Sequence, residues 1–387
     1  MWAVTEIFSE GMKSMERQLE RKREAEPVRR SQAIERWWQR LEEGRKQAQT
    51  LPRVVKFADR PWVQNAQTFV KNYTGRTGLA GRLTRLPINN FDLNEQIIAP
   101  GSKSGKHRHY TEALFFVIEG EGYEMHDEVK YPWKAGDIMG VPTYCVHQHF
   151  NPTDRPARFF FCIPNVFEAM GIGTVEQIEL HENYQPPEGA QTLYGPSGEV
   201  TGYKTPEGNE FRFGAVDLEL QKVMEEKQSR SRGGEPQNTY DRDIRTLEEE
   251  VHWRMSVPHV VKGEERPWED TRMGRIKYLV HPTVTSGLRL FEAYVQELPP
   301  GGSSGRHRHV GEEVHKILEG SGYDIHDGTR WDWETEDLVC IPVNTVHQHF
   351  NADPLRPACF LSVQSRLYRY MGHGGVEHLE DIPTWGG

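Results

Sequence analysis

Short runs of aromatic and β-branched residues, separated by Gly, Pro, Asn and Asp, make up most of the chain outside its N-terminus. Residues 113–118 and 158–163 are examples of these runs. Closely spaced apolar runs interrupted by turn-forming residues are typical of antiparallel sandwiches and barrels. The pattern therefore predicts an all-β protein.

The N-terminal part of the chain has a different pattern. Residues 5–25 and 30–49 are rich in Glu, Arg, Lys and Gln and contain few helix breakers. This predicts a helical extension over residues 1–50. Trp37 and Trp38 fall on one such helix, where we expect them to pack on a barrel or across a dimer.

A set of polar residues occurs twice, 200 positions apart. His107, His109 and His147 recur as His307, His309 and His347. Around them, Gly, Tyr, His and Asp recur at the same offset, as Gly120, Tyr123, His126 and Asp127 and again as Gly320, Tyr323, His326 and Asp327. Self-similarity at a fixed spacing is the signature of a duplicated structural unit.

The repeat divides the chain. The first copy is predicted at 51–185 and the second at 247–387, because further matches extend on both sides of the histidines. Residues 186–246 read as a connector with little apolar periodicity, a short helix near 216–227 and a mobile stretch near 228–240.

The second copy carries the fuller set of metal-ligand side chains. Residues two apart on a strand point to the same face, so His307, His309 and Glu313 are predicted to face one barrel interior, with His347 on a facing strand. Three imidazoles and one carboxylate suit a divalent first-row metal ion.

The first copy has Ala113 where the second has Glu313. Glu112 stands beside this position, but a shift of one residue turns a strand side chain to the other face. Glu112 also aligns with Glu312, so we predict that it is not a ligand. The first site, with His107, His109 and His147 alone, would leave more coordination positions open.

Composition narrows the class of protein. The 387 residues include 47 Lys plus Arg and 57 Asp plus Glu, a net charge of −10 that argues against nucleic acid as the main partner. No apolar run has the length of a membrane span, and no signal peptide is evident. The four cysteines form no C-x-x-C pair, which predicts reduced thiols in a cytoplasmic protein.

These segments resemble the two cupin motifs, and the whole chain resembles a bicupin. That resemblance implies two jelly-roll barrels, each with metal at its open end. The first motif is similar to the gentisate 1,2-dioxygenase group, which includes salicylate and 1-hydroxy-2-naphthoate dioxygenases. His107-Arg108-His109, Ala113-Leu114 and His147-Gln148-His149 carry the likeness. It implies iron(II) on three histidines, an aromatic substrate, dioxygen and a homo-oligomer.

The sequence departs from that group at two positions of its substrate region. Thr111 and Phe115 stand where gentisate enzymes usually have Gln and Arg. These differences predict a less polar or differently substituted ring. His149, two residues beyond His147 on the same strand, is the candidate catalytic base, and His349 is its counterpart. The further candidate pocket residues are Arg82, Arg85, Tyr110, Thr111, Phe116 and Cys145.

Three functions remain open from the sequence. The first is an iron(II) ring-cleaving dioxygenase with Fe(2+) in the first domain and Fe or Mn in the second. The second is a manganese bicupin such as oxalate decarboxylase or oxidase, which predicts a carboxylate in both sites. The third is a non-catalytic bicupin that binds a metal or small ligand.

Overall fold

A computed structural model gives the fold. It describes residues 32–74, 86–165, 175–198, 200–212, 236–284 and 286–382. The chain forms two compact units, Met1–Leu51 and Pro52–Gly387. In the first unit, helix α1 (Gln32–Thr50) confirms the predicted helix at 30–49, and Trp37 and Trp38 on it are exposed. The predicted helix at 5–25 lies outside the described residues.

The second unit is built almost entirely of short antiparallel strands. The strands of the first repeat are β1 (Val54–Val55), β2 (Val63–Gln64), β3 (Phe69–Asn72), β4 (Phe91–Ile98), β5 (Ser102–Lys103), β6 (Lys106–His109), β7 (Ala113–Glu119), β8 (Glu121–His126), β9 (Val129–Lys134), β10 (Ile138–Val141), β11 (His147–Asn151), β12 (Ala157–Pro164) and β13 (Val175–Glu179).

The connector holds strands and the start of a helix. These elements are β14 (Gln191–Tyr194), β15 (Val200–Lys204), β16 (Glu210–Arg212) and α2 (Thr239–Ser256). The three strands form a separate small sheet that the sequence pattern did not predict. Helix α2 begins at the Asn238 cap and crosses the predicted boundary at 246/247. The predicted helix at 216–227 lies outside the described residues.

The second repeat has the same strand plan as the first. Its elements are β17 (Val260–Val261), β18 (Glu269–Thr271), β19 (Gly274–Val280), β20 (Phe291–Leu298), β21 (Arg306–His309), β22 (Glu313–Glu319), β23 (Ser321–His326), β24 (Thr329–Glu334), β25 (Leu338–Ile341), β26 (His347–Asn351), β27 (Ala358–Ser365), α3 (Leu367–Tyr370) and β28 (Val376–Glu380). Short 3-10 turns follow β1 and β17, at Phe57–Asp59 and Gly263–Glu265.

Each repeat folds into two sheets, and the repeats exchange their leading strands. One sheet of the first barrel runs β17-β10-β7-β12-β4-β3-β2, and its partner runs β13-β6-β11-β8-β9. In the second barrel, β1 takes the corresponding edge next to β25. The two barrels are therefore joined through hydrogen-bonded strands as well as through side chains.

Alternation along β7 shows where the cores lie. Ala113 and Phe115 belong to an apolar cluster inside the first barrel, whereas Leu114 and Phe116 belong to a cluster shared by both barrels. In that shared cluster, the rings of Phe91 and Phe291 stack with centroids 5.9 Å apart. A strand buried on both faces reads as a continuous apolar run, as residues 113–118 do.

A symmetric pair of buried carboxylates also joins the barrels. Glu112 accepts hydrogen bonds from the backbone N–H groups of Arg289 and Leu290, at 3.0 and 2.6 Å. Glu312 accepts from the backbone N–H groups of Asn89 and Asn90, at 2.9 and 2.7 Å. Glu112 therefore faces the inter-barrel contact, which agrees with the prediction that it is not a metal ligand.

Candidate metal centres

Three buried histidines meet inside the first barrel. His107 and His109 lie on β6, and His147 lies on β11 directly opposite His107. The ring centroids are 4.1 Å apart for His107 and His147 and 4.9 Å apart for His109 and His147. One nitrogen from each ring lies within 4.8 Å of the others. The strand alternation predicted for this set is thus realised.

Backbone carbonyls orient these rings. The Nδ1 atoms of His107, His109 and His147 lie 3.3, 2.5 and 3.1 Å from the carbonyl oxygens of residues 105, 111 and 145. A carbonyl can only accept, so each Nδ1 carries a proton, and a neutral ring then has its lone pair on Nε2. Nε2 of His147 is buried and has no hydrogen-bond partner among the described residues. Such orientation of the outer nitrogen is characteristic of metal-binding histidines.

Burial favours the protonation state that a metal requires. Loss of hydration lowers the pKa of His107 and of His147 well below its usual value, and the neighbouring histidines lower it further. Neutral imidazole is the form that binds a metal ion. The donor set therefore fits a divalent cation.

A buried carboxylate holds His149 behind this centre. His149 Nδ1 lies 2.7 Å from Glu124 Oε2 on β8, and Nε2 of His149 is buried without a partner among the described residues. Burial alone would raise the pKa of Glu124, but His149 and His126 outweigh it and lower the pKa below its usual range. An ionised Glu124 can only accept, so His149 donates to it from Nδ1.

The interior wall beside this centre is apolar. The Phe115 and Phe161 rings stack with centroids 4.6 Å apart, and Phe115 meets the edge of His149, also at 4.6 Å. Ala113 stands beside them, fully buried. A metal held here would face hydrocarbon rather than a carboxylate ligand at this position.

The second barrel holds four ligand-type side chains. His307 and His309 on β21, Glu313 on β22 and His347 on β26 have one ligand atom each within 4.8 Å of one another. His309 Nε2 and Glu313 Oε2 are 2.6 Å apart. Burial lowers the pKa of His307 to about 3. The four-ligand set predicted from the sequence is therefore brought together.

Polar neighbours hold the Glu313 carboxylate in place. Its Oε1 accepts hydrogen bonds from Tyr294 Oη at 2.8 Å, from His315 Nε2 at 3.0 Å and from Ser362 Oγ. Burial alone would raise the pKa of Glu313, but hydrogen bonds from His309 and His315 lower it well below its usual range. Oε2 is left facing the histidines.

The structure places the predicted pocket residues in different surroundings. The Thr111 and Cys145 carbonyls orient His109 and His147, whereas the buried Cys145 thiol lies 3.8 Å from Asp127. Tyr110 packs against Tyr144, with ring centroids 5.1 Å apart. Phe116 does not reach the site: the two-residue period of β7 turns it into the inter-barrel core, and Phe115 takes the interior position. Arg82 and Arg85 lie outside the described residues.

The sequence prediction missed the carboxylates that contact His149 and His349. Asp324 takes the place of Glu124 in the second barrel, with Oδ2 at 2.9 Å from His349 Nδ1. The sequence contained a signal for them: Glu124 and Asp324 stand two residues before the repeated His126 and His326, and therefore on the same strand face. His315 also went unnoticed, because its counterpart in the first repeat is Phe115.

Both repeats match the cupin domain family, over residues 94–164 and 294–364. The chain is a bicupin. The two barrels and the N-terminal helix agree with the predicted fold class. Among the described residues of this bicupin, no helix has the length and apolar character needed to cross a bilayer. The four cysteines are free thiols.

Its characterised relatives belong to the gentisate dioxygenase group. Gentisate 1,2-dioxygenase of Ralstonia sp is 35% identical over 65 residues, 16% of this chain and 18% of that protein. Gentisate 1,2 dioxygenase 1 of Aquipseudomonas alcaligenes is 22% identical over 250 residues, 64% of this chain and 62% of the relative. The bicupin is thus similar to these enzymes but covers less than two thirds of the length of either relative.

Solved structures share the fold. Salicylate 1,2-dioxygenase of Pseudoaminobacter salicylatoxidans aligns with a TM-score of 0.52 and 15% identity, over 92% of this chain and 96% of that one. A deletion mutant of Bacillus subtilis oxalate decarboxylase aligns with a TM-score of 0.53 and 13% identity, over 85% and 80%. Both comparisons place the two barrels in the cupin fold.

Proposed function

We propose that the bicupin is an iron(II)-dependent dioxygenase that opens the ring of a hydroxylated aromatic compound in its first barrel. One observation carries this proposal: three buried histidines converge beside an apolar wall, at a centre where Ala113 supplies no fourth ligand. A metal held there would keep positions for both an organic substrate and dioxygen.

The ligands we assign are His107, His109 and His147. Bound iron(II) would bring substrate and dioxygen together and lower the pKa of a coordinated hydroxyl. The protein contributes ring orientation through three backbone carbonyls and a water-poor interior.

His149 is the residue we assign to proton transfer. Its Nδ1–H is committed to Glu124, so Nε2 can accept the proton of a substrate hydroxyl. Proton transfer by a positioned imidazole contributes typically about 10²- to 10⁴-fold to a rate. Replacing His149 by Gln should therefore lower kcat while the metal content stays the same.

The apolar wall sets the substrate class. Phe115 and Phe161 offer stacking surface and no charge to a ring lying beside the metal. We therefore expect hydroquinones, aminophenols and hydroxybenzoates with apolar substituents to be better substrates than gentisate.

The test is oxygen uptake by the purified, iron-loaded protein with a panel of such compounds. Iron and manganese are quantified in the same preparation. Uptake that depends on both iron and one aromatic class supports the proposal. Iron-loaded protein that consumes no oxygen with any hydroquinone, aminophenol or hydroxybenzoate would overturn it.

A second candidate applies to the second barrel. Glu313 completes a three-histidine, one-carboxylate set there, which suits manganese as well as iron. Oxalate decarboxylation at this site is measured as carbon dioxide release from oxalate without oxygen consumption. Manganese-loaded protein that leaves oxalate intact would remove this candidate.

A further inference from the structure

Beside the first centre, His149, Glu124 and His126 form a row of contacts that ends on His259, a residue of the second repeat. This residue precedes β17, and its carbonyl accepts a hydrogen bond from the backbone N–H of Gly140 at 2.7 Å. Its side chain is only 2% exposed. The strand exchange therefore delivers an imidazole of the second repeat into the first barrel.

The hydrogen bonds of His259 fix its tautomer. Nε2 lies 3.1 Å from the carbonyl oxygen of Arg254, which can only accept. Burial, with His126 beside it, lowers the pKa of His259 to about 4, so the ring is neutral near pH 7. Nε2 therefore carries the proton and Nδ1 is an acceptor.

His126 completes the connection to the metal centre. His126 Nδ1 lies 2.5 Å from His259 Nδ1 and must donate to it. On its other side, His126 Nε2 is 3.0 Å from Glu124 Oε1, an ion-pair contact that requires a second proton on His126, because a carboxylate can only accept. Glu124 Oε2 accepts a hydrogen bond from His149 Nδ1 at 2.7 Å. Tyr131 stacks on the His259 ring with centroids 4.8 Å apart. The ring of His126 is thus held from both sides.

The second barrel has a different residue in the same place. Arg53 precedes β1, is 5% exposed, and its carbonyl accepts from the backbone N–H of Cys340 at 2.7 Å, as His259 does from Gly140. The backbone arrangement is shared, but the imidazole acceptor is confined to the first barrel. This difference provides a matched pair of positions.

We propose that His259 is a positioning residue for the first metal centre, holding His126, Glu124 and through them His149 in the orientation that leaves Nε2 of His149 free. The first centre then needs the second repeat for its assembly. The kinetic consequence rests on the proposed function, whereas the orientation of His149 does not.

The decisive variant is His259→Arg, which puts the residue of the second barrel into the first and replaces an acceptor with donors. We expect kcat of the iron-loaded enzyme to fall by roughly 10- to 100-fold, the usual effect of losing an outer hydrogen-bond partner. KM should change little. His259→Asn, which offers an oxygen acceptor near the Nδ1 position, should restore most of kcat.

Arg53→His is the matched control, and we expect it to leave kcat unchanged. If His259→Arg does not fold, as judged by its thermal unfolding, His259→Leu takes its place. Equal kcat values for the wild type and the loss variant, or a loss that His259→Asn fails to rescue, would overturn the proposal.

A spectroscopic measurement separates this inference from the proposed activity. In metal-free protein labelled with 15N-histidine, the Nδ1–H protons of His126 and His149 should give downfield resonances. The His126 signal should vanish and the His149 signal shift in His259→Arg, but neither should change in Arg53→His. This pattern without any oxygen uptake would keep the positioning role and reject the proposed function. Unchanged resonances in His259→Arg would overturn the positioning role.

Discussion

The two barrels keep the same three histidines but surround them with different walls. Around the first centre stand Ala113, Phe115 and Phe161, and the corresponding positions of the second hold Glu313, His315 and Ser362. The second wall acts as one polar unit, because Ser362 and His315 both bind the Glu313 carboxylate. The two repeats therefore share the backbone contacts that orient the three histidines and differ in the wall beside them.

The largest effect should come from removing one ligand in each barrel. His147→Ala should lower aromatic-dependent oxygen uptake by at least about 10³-fold, because loss of the metal removes its whole contribution. His347→Ala should lower the metal content by one ion per chain and keep the uptake. Measurements of metal content and oxygen uptake on both variants check this. Loss of activity in folded His347→Ala alone would reverse the roles of the barrels.

A smaller effect should follow from exchanging the walls. Ala113→Glu gives the first barrel a carboxylate without the hydroxyl and imidazole partners of Glu313, and it occupies a position needed by substrate. We expect kcat to fall by roughly 100-fold while iron is retained. Ala113→Ser, which adds no charge, is the control. Full activity of Ala113→Glu with iron bound would show that the open position is not required.

Where the two barrels meet, equivalent positions of the two repeats also differ. Lys316 is fully buried and lies 2.5 Å from Glu95 and 3.0 Å from Glu336, while the equivalent residues Phe116 and Val295 are apolar. Lys316→Met would remove the nearer of the two cations that contact Glu95, leaving Arg158 at 3.2 Å. We expect the free energy of unfolding to fall by about 3–5 kcal/mol, measured by denaturant titration. Double replacement of Lys316 and Glu95 by apolar residues should recover part of it, and no recovery would contradict the pairing.

The smallest effect concerns pH. The pKa of His259 is lowered to about 4 from an ordinary value of 6.5, chiefly by burial. Below pH 6.5 the unfolded chain takes up a proton that the folded protein does not. Stability should therefore be complete above pH 6.5 and decline as the pH falls toward 4, by at most about 1.4 kcal/mol per pH unit from this residue.

Thermal unfolding of the metal-free protein across this pH range checks the sign. His259→Asn should flatten the decline relative to the wild type, because it removes the buried histidine. A steeper decline in His259→Asn would contradict the buried, neutral state of this ring.

The parts of the fold set by local pattern were predictable. Apolar runs such as 158–163 predicted buried strands, and the 200-residue offset predicted two barrels. The ligand histidines followed from strand alternation and repetition. The separate sheet of β14 to β16 was not predicted, because polar strands at the surface carry little apolar periodicity. The residues at which α2 begins and ends were not predicted either.

Contacts between the repeats could not be read from the sequence. His259 reaches His126 only because β17 joins the sheet of the first barrel, and Glu112 reaches Arg289 across the same contact. Phe116 was assigned to the pocket although its neighbour Phe115 faces the interior, because an apolar run does not reveal which face looks inward. The pairing of strands distant in sequence decides both the contacts between the repeats and the face of β7 that looks inward.

Ring opening with dioxygen in the first barrel can be tested by isotope labelling. The most direct measurement uses iron-loaded His347→Ala, an active hydroxylated aromatic compound and ¹⁸O₂, with mass spectrometry of the product. We expect a ring-opened product that contains both heavy oxygen atoms, and no such product from His147→Ala. Label from water in place of dioxygen, or an intact ring, would contradict it.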